Sequence, residues 1–181
     1  TPMNMRKDPL PAALDIIQYI FAQVAEHPGC VGTVGRIEAF PGGINIIPER
    51  VEFTLDLRDI YEDTIDTIQE NIEKYVTNIN KQNKIKVEVQ VTQKVPPVRC
   101  SEQIIQISKD IFAHLGLEQF ELMSGAGHDG INFKDLCPIG MIFVRSQKGL
   151  SHHREEWSTE EDCALGAEIL YRTLLRLDKD G

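Results

Sequence analysis

Apolar and polar positions along the first half of the chain fall into two periods. Leu10, Leu14, Ile17, Ile20, Phe21 and Val24 recur at helical spacing. Asp8-Pro9 opens that run with a carboxylate N-cap and a proline at the first helical position, and His27-Pro28-Gly29 stops it. A strand is predicted over Val31–Phe40, followed by a turn at Pro41-Gly42-Gly43, then Ile44–Ile47 and a break at Pro48. In the next strand Val51, Phe53, Leu55 and Leu57 face one way, and Glu52, Thr54, Asp56 and Arg58 the other. A helix with Ile65, Ile68, Ile72, Val76 and Ile79 on one stripe comes next. Ile85, Val87, Val89 and Val91 then alternate with Lys86, Glu88, Gln90 and Thr92. The order is α-β-β-α-β. With one more strand in front, expected just upstream of Thr1, it becomes the ferredoxin-like split βαβ arrangement, an antiparallel sheet with two helices on one face.

Pro96-Pro97 marks a boundary, and the pattern changes beyond it. A helix is predicted from Ser101, with Ile104, Ile105, Ile111, Phe112 and Leu115 apolar, ending at Gly116. A short strand at Phe120–Met123 leads into Ser124-Gly125-Ala126-Gly127-His128-Asp129-Gly130. The continuous apolar run Ile139–Val144 reads as a strand buried on both faces, as in a parallel sheet. Ser158-Thr159-Glu160-Glu161 reads as a capping box opening the last helix, with Trp157 packed beside it. The strands are too few for a closed sheet, so this half is expected to be the tail of a larger α/β domain.

Composition narrows the function. The chain has 181 residues, 41% hydrophobic and 26% charged, which is ordinary for a folded protein of one or two domains. A net charge of -9 repels nucleic-acid backbone and anionic membrane, so neither is expected as a partner. Four scattered cysteines form no C-x-x-C pair, which argues against a disulfide framework or thiolate zinc site and for a reducing, cytoplasmic setting. No apolar stretch is long enough to span a bilayer, and the N-terminus has no signal-peptide core. The chain opens on Thr1 rather than methionine, which predicts that it was cut or truncated there.

Five residues are candidates for chemistry. His128, at the tip of a glycine-rich loop after a predicted strand, can donate a hydrogen bond or shuttle a proton; it reads equally as a turn histidine held beside Asp129. Gly127 lets the backbone approach a ligand closely. His152 leaves the end of a predicted strand, where open α/β sheets place their sites, but one histidine is not a metal site and a polar surface loop is the plainer reading. The planar fork of Arg58 suits a carboxylate ligand, although an arginine flanked by Asp56 and Asp59 is more often an ordinary surface ion pair. Asn45, taken alone, is a turn residue.

Together these segments resemble the N-carbamoyl-L-amino-acid hydrolases, with the allantoate amidohydrolases and β-ureidopropionases as close relatives. The resemblance is carried by Thr1-Pro2-Met3 with Arg6–Pro9, Thr33-Val34-Gly35, Asn45-Ile46-Ile47-Pro48 and Asp56-Leu57-Arg58-Asp59. In the second half it is carried by Ser124–Asp129, Pro138–Ser146, Gly149-Leu150-Ser151-His152 and Glu156-Trp157-Ser158. Two departures stand out: Gly130 replaces the alanine or serine of many relatives, and His153-Arg154 follows the histidine where a small residue and proline are usual.

The resemblance implies an α+β chain. Residues 1–96 would be a ferredoxin-like lid and dimerisation domain lacking its first strand, and residues 97–181 the C-terminal part of a zinc-exopeptidase-like catalytic domain. It implies two divalent metal ions per subunit in the intact enzyme (zinc, manganese, cobalt or nickel), and none tightly bound by this chain. His152 matches the last metal ligand, Asn45 and Arg58 match the grip on the substrate α-carboxylate, and Gly127 and His128 match the loop that stabilises the tetrahedral intermediate. Asn45 and Arg58 are expected to act across a homodimer formed through residues 1–96. The implied reaction is metal-assisted hydrolysis of the carbamoyl amide of a small N-carbamoyl-L-amino acid. Allantoate hydrolysis is the alternative, and for the isolated chain a non-catalytic dimerisation module.

Overall fold

Asp8 caps the first helix, α1 (Pro9–Ala25), by accepting the Leu10 N–H at 3.0 Å, and Pro9 takes a first-turn position where its missing N–H costs no bond. This computed structural model describes residues 1–82 and 85–180, and the chain divides into two units, Thr1–Pro97 and Val98–Gly181. The buried face of α1 is Ala13, Ile16, Ile20 and Gln23. The predicted stripe is therefore rotated: Ile20 is buried, but Leu14 and Phe21 are exposed. The helix is apolar on most sides, so periodicity alone does not choose which face its neighbours will cover.

That choice is made by α2 (Glu62–Gln82) and a β ladder. Ile68, Ile72, Val76 and Ile79, as the stripe predicted, join Ile16 and Ile20 in one buried cluster, with Phe53, Leu55, Leu57 and Val87 packed against it. Asn71 donates to the Gln23 side chain at 2.8 Å, which satisfies the one polar residue on the buried face of α1. Tyr19 and Tyr75 stack at 3.9 Å between ring centres, and the Tyr75 hydroxyl donates to Asp15 at 2.8 Å. That bond raises the Tyr75 pKa, because an ionised phenol would have no proton to give.

The expected strands Val31–Phe40 and Val51–Arg58 each appear as two shorter strands. β1 (Val31–Thr33) pairs antiparallel with β4 (Asp56–Arg58), and β2 (Ile37–Phe40) with β3 (Arg50–Phe53). Residues 34–36 on one side face only Thr54 and Leu55 on the other, so the register slips by one residue between the two pairs. This is a β-bulge, and the Thr54 N–H donates to the Arg36 carbonyl at 3.0 Å across it. Beyond the bulge Leu55 and Leu57 still face the core, while Thr54, Asp56 and Arg58 stay exposed.

The third predicted strand, at residues 85–91, forms no ladder among the described residues. The Asn80 side chain takes both backbone groups of Val87 instead, accepting its N–H at 2.7 Å and donating to its carbonyl at 2.9 Å. The four-stranded sheet of a ferredoxin-like fold is thus incomplete among the described residues.

In the second unit, α3 (Glu102–His114) packs on α4 (Glu160–Asp180), with Ile107, Ile169 and Thr173 buried. The Ser101 N–H donates to the Ile139 carbonyl at 2.7 Å. The apolar run that follows lies against both helices. A Cβ at Gly140 would run into the Ile104 side chain of α3, and one at Gly166 of α4 would come within 2.6 Å of Val144. In this chain only one side of the run is covered, and Phe143 and Val144 are exposed. Among the described residues no strand pairs with this run or with Phe120–Met123. The cap of α4 lies one residue later than expected. Thr159 accepts the Asp162 N–H at 3.1 Å and donates to the Asp162 carboxylate at 2.9 Å.

Among the described residues, no helix is long and apolar enough to cross a membrane. Packing generates the first testable expectation. Ile68, fully buried, should cost about 3 kcal/mol when cut to alanine, whereas exposed Phe21 should cost less than about 1 kcal/mol. Urea unfolding followed by circular dichroism measures both; similar losses would contradict the rotated face of α1.

Candidate functional site

Asn45 lies in the loop of residues 41–49 that joins β2 to β3. Gly42 takes a left-handed φ of +83° there, and the Glu49 N–H closes the loop onto the Phe40 carbonyl at 2.8 Å. The Arg50 guanidinium lies 4.4 Å above the Phe40 ring at the same base. Arg58 is at the other end of the hairpin, in register with Val31. At ~3.3 Å per residue, the strand path from Arg50 to Arg58 is roughly 25 Å long. Along the hairpin, these two candidate carboxylate ligands therefore lie at opposite ends.

Arg58 forks Asp56: Nε donates to Oδ1 at 2.9 Å and Nη2 to Oδ2 at 2.8 Å. These hydrogen bonds hold the Asp56 carboxyl below its ordinary value, and the adjacent positive charge adds to the effect. The other flanking carboxylate, Asp59, accepts the Tyr61 N–H at 2.8 Å as a turn residue.

In the second unit His128 caps a 3₁₀ turn, Asp129–Phe133, its Nδ1 accepting the Gly130 N–H at 2.9 Å. A neutral imidazole that accepts at Nδ1 carries its proton on Nε2. The turn thus sets the tautomer and makes Nε2 a donor. Gly127, just before it, has no atom within 4 Å of where a Cβ would stand, so its backbone is approachable.

His152 occupies the left-handed region, with φ +56°. That conformation costs a non-glycine residue about 1–2 kcal/mol. The loop holds it there through the His152 N–H, which donates to Glu156 Oε2 at 2.8 Å. Its Nδ1 lies 3.0 Å from the Ser151 hydroxyl. His153 plays a different part: its Nδ1 accepts the Glu155 N–H at 3.2 Å and its carbonyl the Glu156 N–H at 2.9 Å. Trp157, expected to be packed, is 64% exposed and helps to line an open cleft of about 430 Å³ with Lys148, Leu150 and Arg154.

Among the described residues, no group of three or more His, Cys, Asp or Glu side chains comes together in a way that could hold a metal ion. The donors among the described residues do not by themselves fit a dinuclear metal centre.

The fold has relatives among solved hydrolytic enzymes. A crystal structure of an amidase of the hydantoinase/carbamoylase family from Burkholderia multivorans superposes with a TM-score of 0.88 at 27% identity, covering 97% of this chain and 43% of that one. The fold is thus one that this solved amidase shares over the matched part of its length. The sequence pattern of peptidase family M20/M25/M40 matches residues 11–176, and the chain belongs to that family. An N-carbamoyl-L-amino acid amidohydrolase of Geobacillus stearothermophilus is 47% identical over 98% of this chain. A ureidoglycolate hydrolase of Arabidopsis thaliana is 34% identical, also over 98%. The chain spans 43% of the length of the first and 38% of the second.

The Asp56–Arg58 pair has a pH signature. A carboxyl whose folded-state pKa lies below its unfolded value stabilises the fold above the ordinary value of 3.8, and that contribution is lost as the pH falls through the depressed folded value. A carbon-detected NMR titration should place the Asp56 midpoint below 3.8, and Arg58→Gln should move it up. An unmoved midpoint would mean that the fork does not form in solution.

Proposed function

We propose that this chain supplies the substrate-gripping and oxyanion-stabilising parts of an amidohydrolase acting on N-carbamoyl-L-amino acids, with the free amino acid, ammonia and carbon dioxide as products. The observation that carries this reading is the 47% identity, over 98% of the chain, to the Geobacillus amidohydrolase. Residues 1–96 serve as lid and dimerisation domain, and residues 97–181 as part of the catalytic domain.

Each candidate residue has a role that its surroundings support. Arg58 receives the substrate carboxylate, with Asp56 holding the plane of its guanidinium. Asn45 completes the grip on that carboxylate. Because the hairpin holds the two at opposite ends, one substrate takes Arg58 from one copy and Asn45 from the other, which makes the homodimer part of the site. Holding the carboxylate fixes where the carbamoyl carbon sits. Attack of water on that carbon puts negative charge on the carbamoyl oxygen. The Nε2–H of His128 donates to it, in a tautomer already set by Gly130. The open backbone at Gly127 lets the substrate lie close to that loop.

Enzymes of this family depend on divalent metal, which supplies a Lewis acid and activates water. His152 is the ligand this chain would offer, and if Nε2 held the metal, Nδ1–H would face the Ser151 hydroxyl 3.0 Å away as its acceptor. One ligand does not make a site.

A second reading is favoured by the Arabidopsis relative: other ureido acids, ureidoglycolate or allantoate, as substrate. They share the ureido group and the carboxylate, so the same residues would serve. For the isolated chain the reading is a non-catalytic dimerisation module.

Two experiments test this. Purified Thr1–Gly181 with added zinc, manganese or cobalt should turn over no N-carbamoyl amino acid and retain no metal on desalting; chelator-sensitive turnover would refute it. Next, a chimera in which these 181 residues replace the matching segment of the Geobacillus enzyme should hydrolyse N-carbamoyl-L-amino acids faster than allantoate or ureidoglycolate. In it Arg58→Lys, which keeps charge but loses the fork, should lower kcat/KM by about ten- to a hundredfold. The loss should vanish on a substrate whose carboxylate is amidated. Equal losses on acid and amide would remove Arg58 from the carboxylate site.

A further inference from the structure

The tip of the 41–49 loop carries apolar side chains on both sides of Asn45, and the two are placed differently. Ile46 folds back on its own turn: its N–H donates to the Gly43 carbonyl at 3.4 Å, and its Cδ1 would lie 2.7 Å from a Cβ at Gly43. Ile44 is fully exposed, at 106% of its reference area. A β-branched aliphatic side chain does nothing for a turn, and at the tip its whole apolar surface is open to an apolar contact. The loop beneath is held by the Glu49–Phe40 bond and by Arg50 over the Phe40 ring, so Ile44 and Asn45 are presented together.

Stereochemistry then connects the two neighbours. In an α-amino acid the carboxylate and the side chain are bonded to the same carbon. Consecutive Cα atoms of the loop are ~3.8 Å apart. An amide at position 45 that touches the carboxylate therefore brings position 44 within reach of the substrate side chain. This holds whichever copy of the chain supplies the loop. We infer that Ile44 is a specificity-determining residue that packs on the side chain of the N-carbamoyl amino acid and favours large apolar substrates over small ones. The inference rests on the carbamoylase reading above and narrows its substrate class.

The test compares N-carbamoyl-L-leucine with N-carbamoylglycine on the same chimera. The unsubstituted chimera should prefer leucine. Ile44→Ala should lower kcat/KM for the leucine substrate about tenfold and for the glycine substrate less than about twofold, as expected when one apolar contact is lost. Because Ile44 is fully exposed, thermal stability should not change, and a melting curve checks this. Ile46→Ala is the control: it loosens the turn that carries Asn45 and should lower both substrates alike. If Ile44→Ala also lowers both alike, Ile44 only shapes the loop and the inference is overturned while the carbamoylase reading stands. If the folded, unsubstituted chimera hydrolyses neither substrate, the carbamoylase reading fails and takes this inference with it.

Discussion

The bulged hairpin is the constraint on which the first unit depends. Its register is held by the core face: Phe53, Leu55 and Leu57 must all reach the cluster built by Ile16, Ile20, Ile68 and Ile72. A slip of one residue would turn Asp56 and Arg58 inward and the leucines out. The bulge at residues 34–36 absorbs an extra residue on one strand while the leucines stay on the core side. The same register puts Arg58 at one end and the Asn45 loop at the other. The packing that holds the fold therefore also sets the two candidate carboxylate ligands at opposite ends of the hairpin.

In the second unit short hydrogen bonds do the positioning. His128 and His152 are both exposed loop residues, yet each is directed by one backbone bond and one ring bond. The Gly130 N–H at Nδ1 makes His128 an Nε2 donor. At His152 a left-handed backbone is held by Glu156, and Ser151 engages Nδ1. Glycine at position 130 also matters sterically, since a Cβ there would come within 3.1 Å of His128 Nδ1. An alanine there would need the imidazole to give by a few tenths of an ångström.

Much of this was legible in the residues. Asp8-Pro9 announced α1, the isoleucine stripe of α2 was read almost residue by residue, and the strand alternation through Leu55 and Leu57 named the correct face. These are local signals, in which capping chemistry and a simple period repeat within a few residues. The capping box of α4 was legible but misplaced by one residue, because Ser158 and Thr159 are both able caps and only geometry chooses between them.

The amino-acid sequence by itself determined the helices, the turns, the polar and apolar faces of the hairpin, and which imidazoles, amide and guanidinium are available for chemistry. It did so because side-chain type and spacing act over one or two turns of chain. Tertiary structure alone decided the buried face of α1, the bulge that divides both strands, the His128 tautomer and the Asp56 partner of Arg58. It also decided the fate of the strand-like segments at residues 85–91 and 139–144, one tied to Asn80 and the other laid on two helices. The buried face of α1 and the bulge depend on which groups distant in sequence meet, while the His128 and Arg58 partners, each two residues away, depend on a local backbone geometry that spacing alone does not fix. A strand forms only where another backbone lies alongside to share its hydrogen bonds.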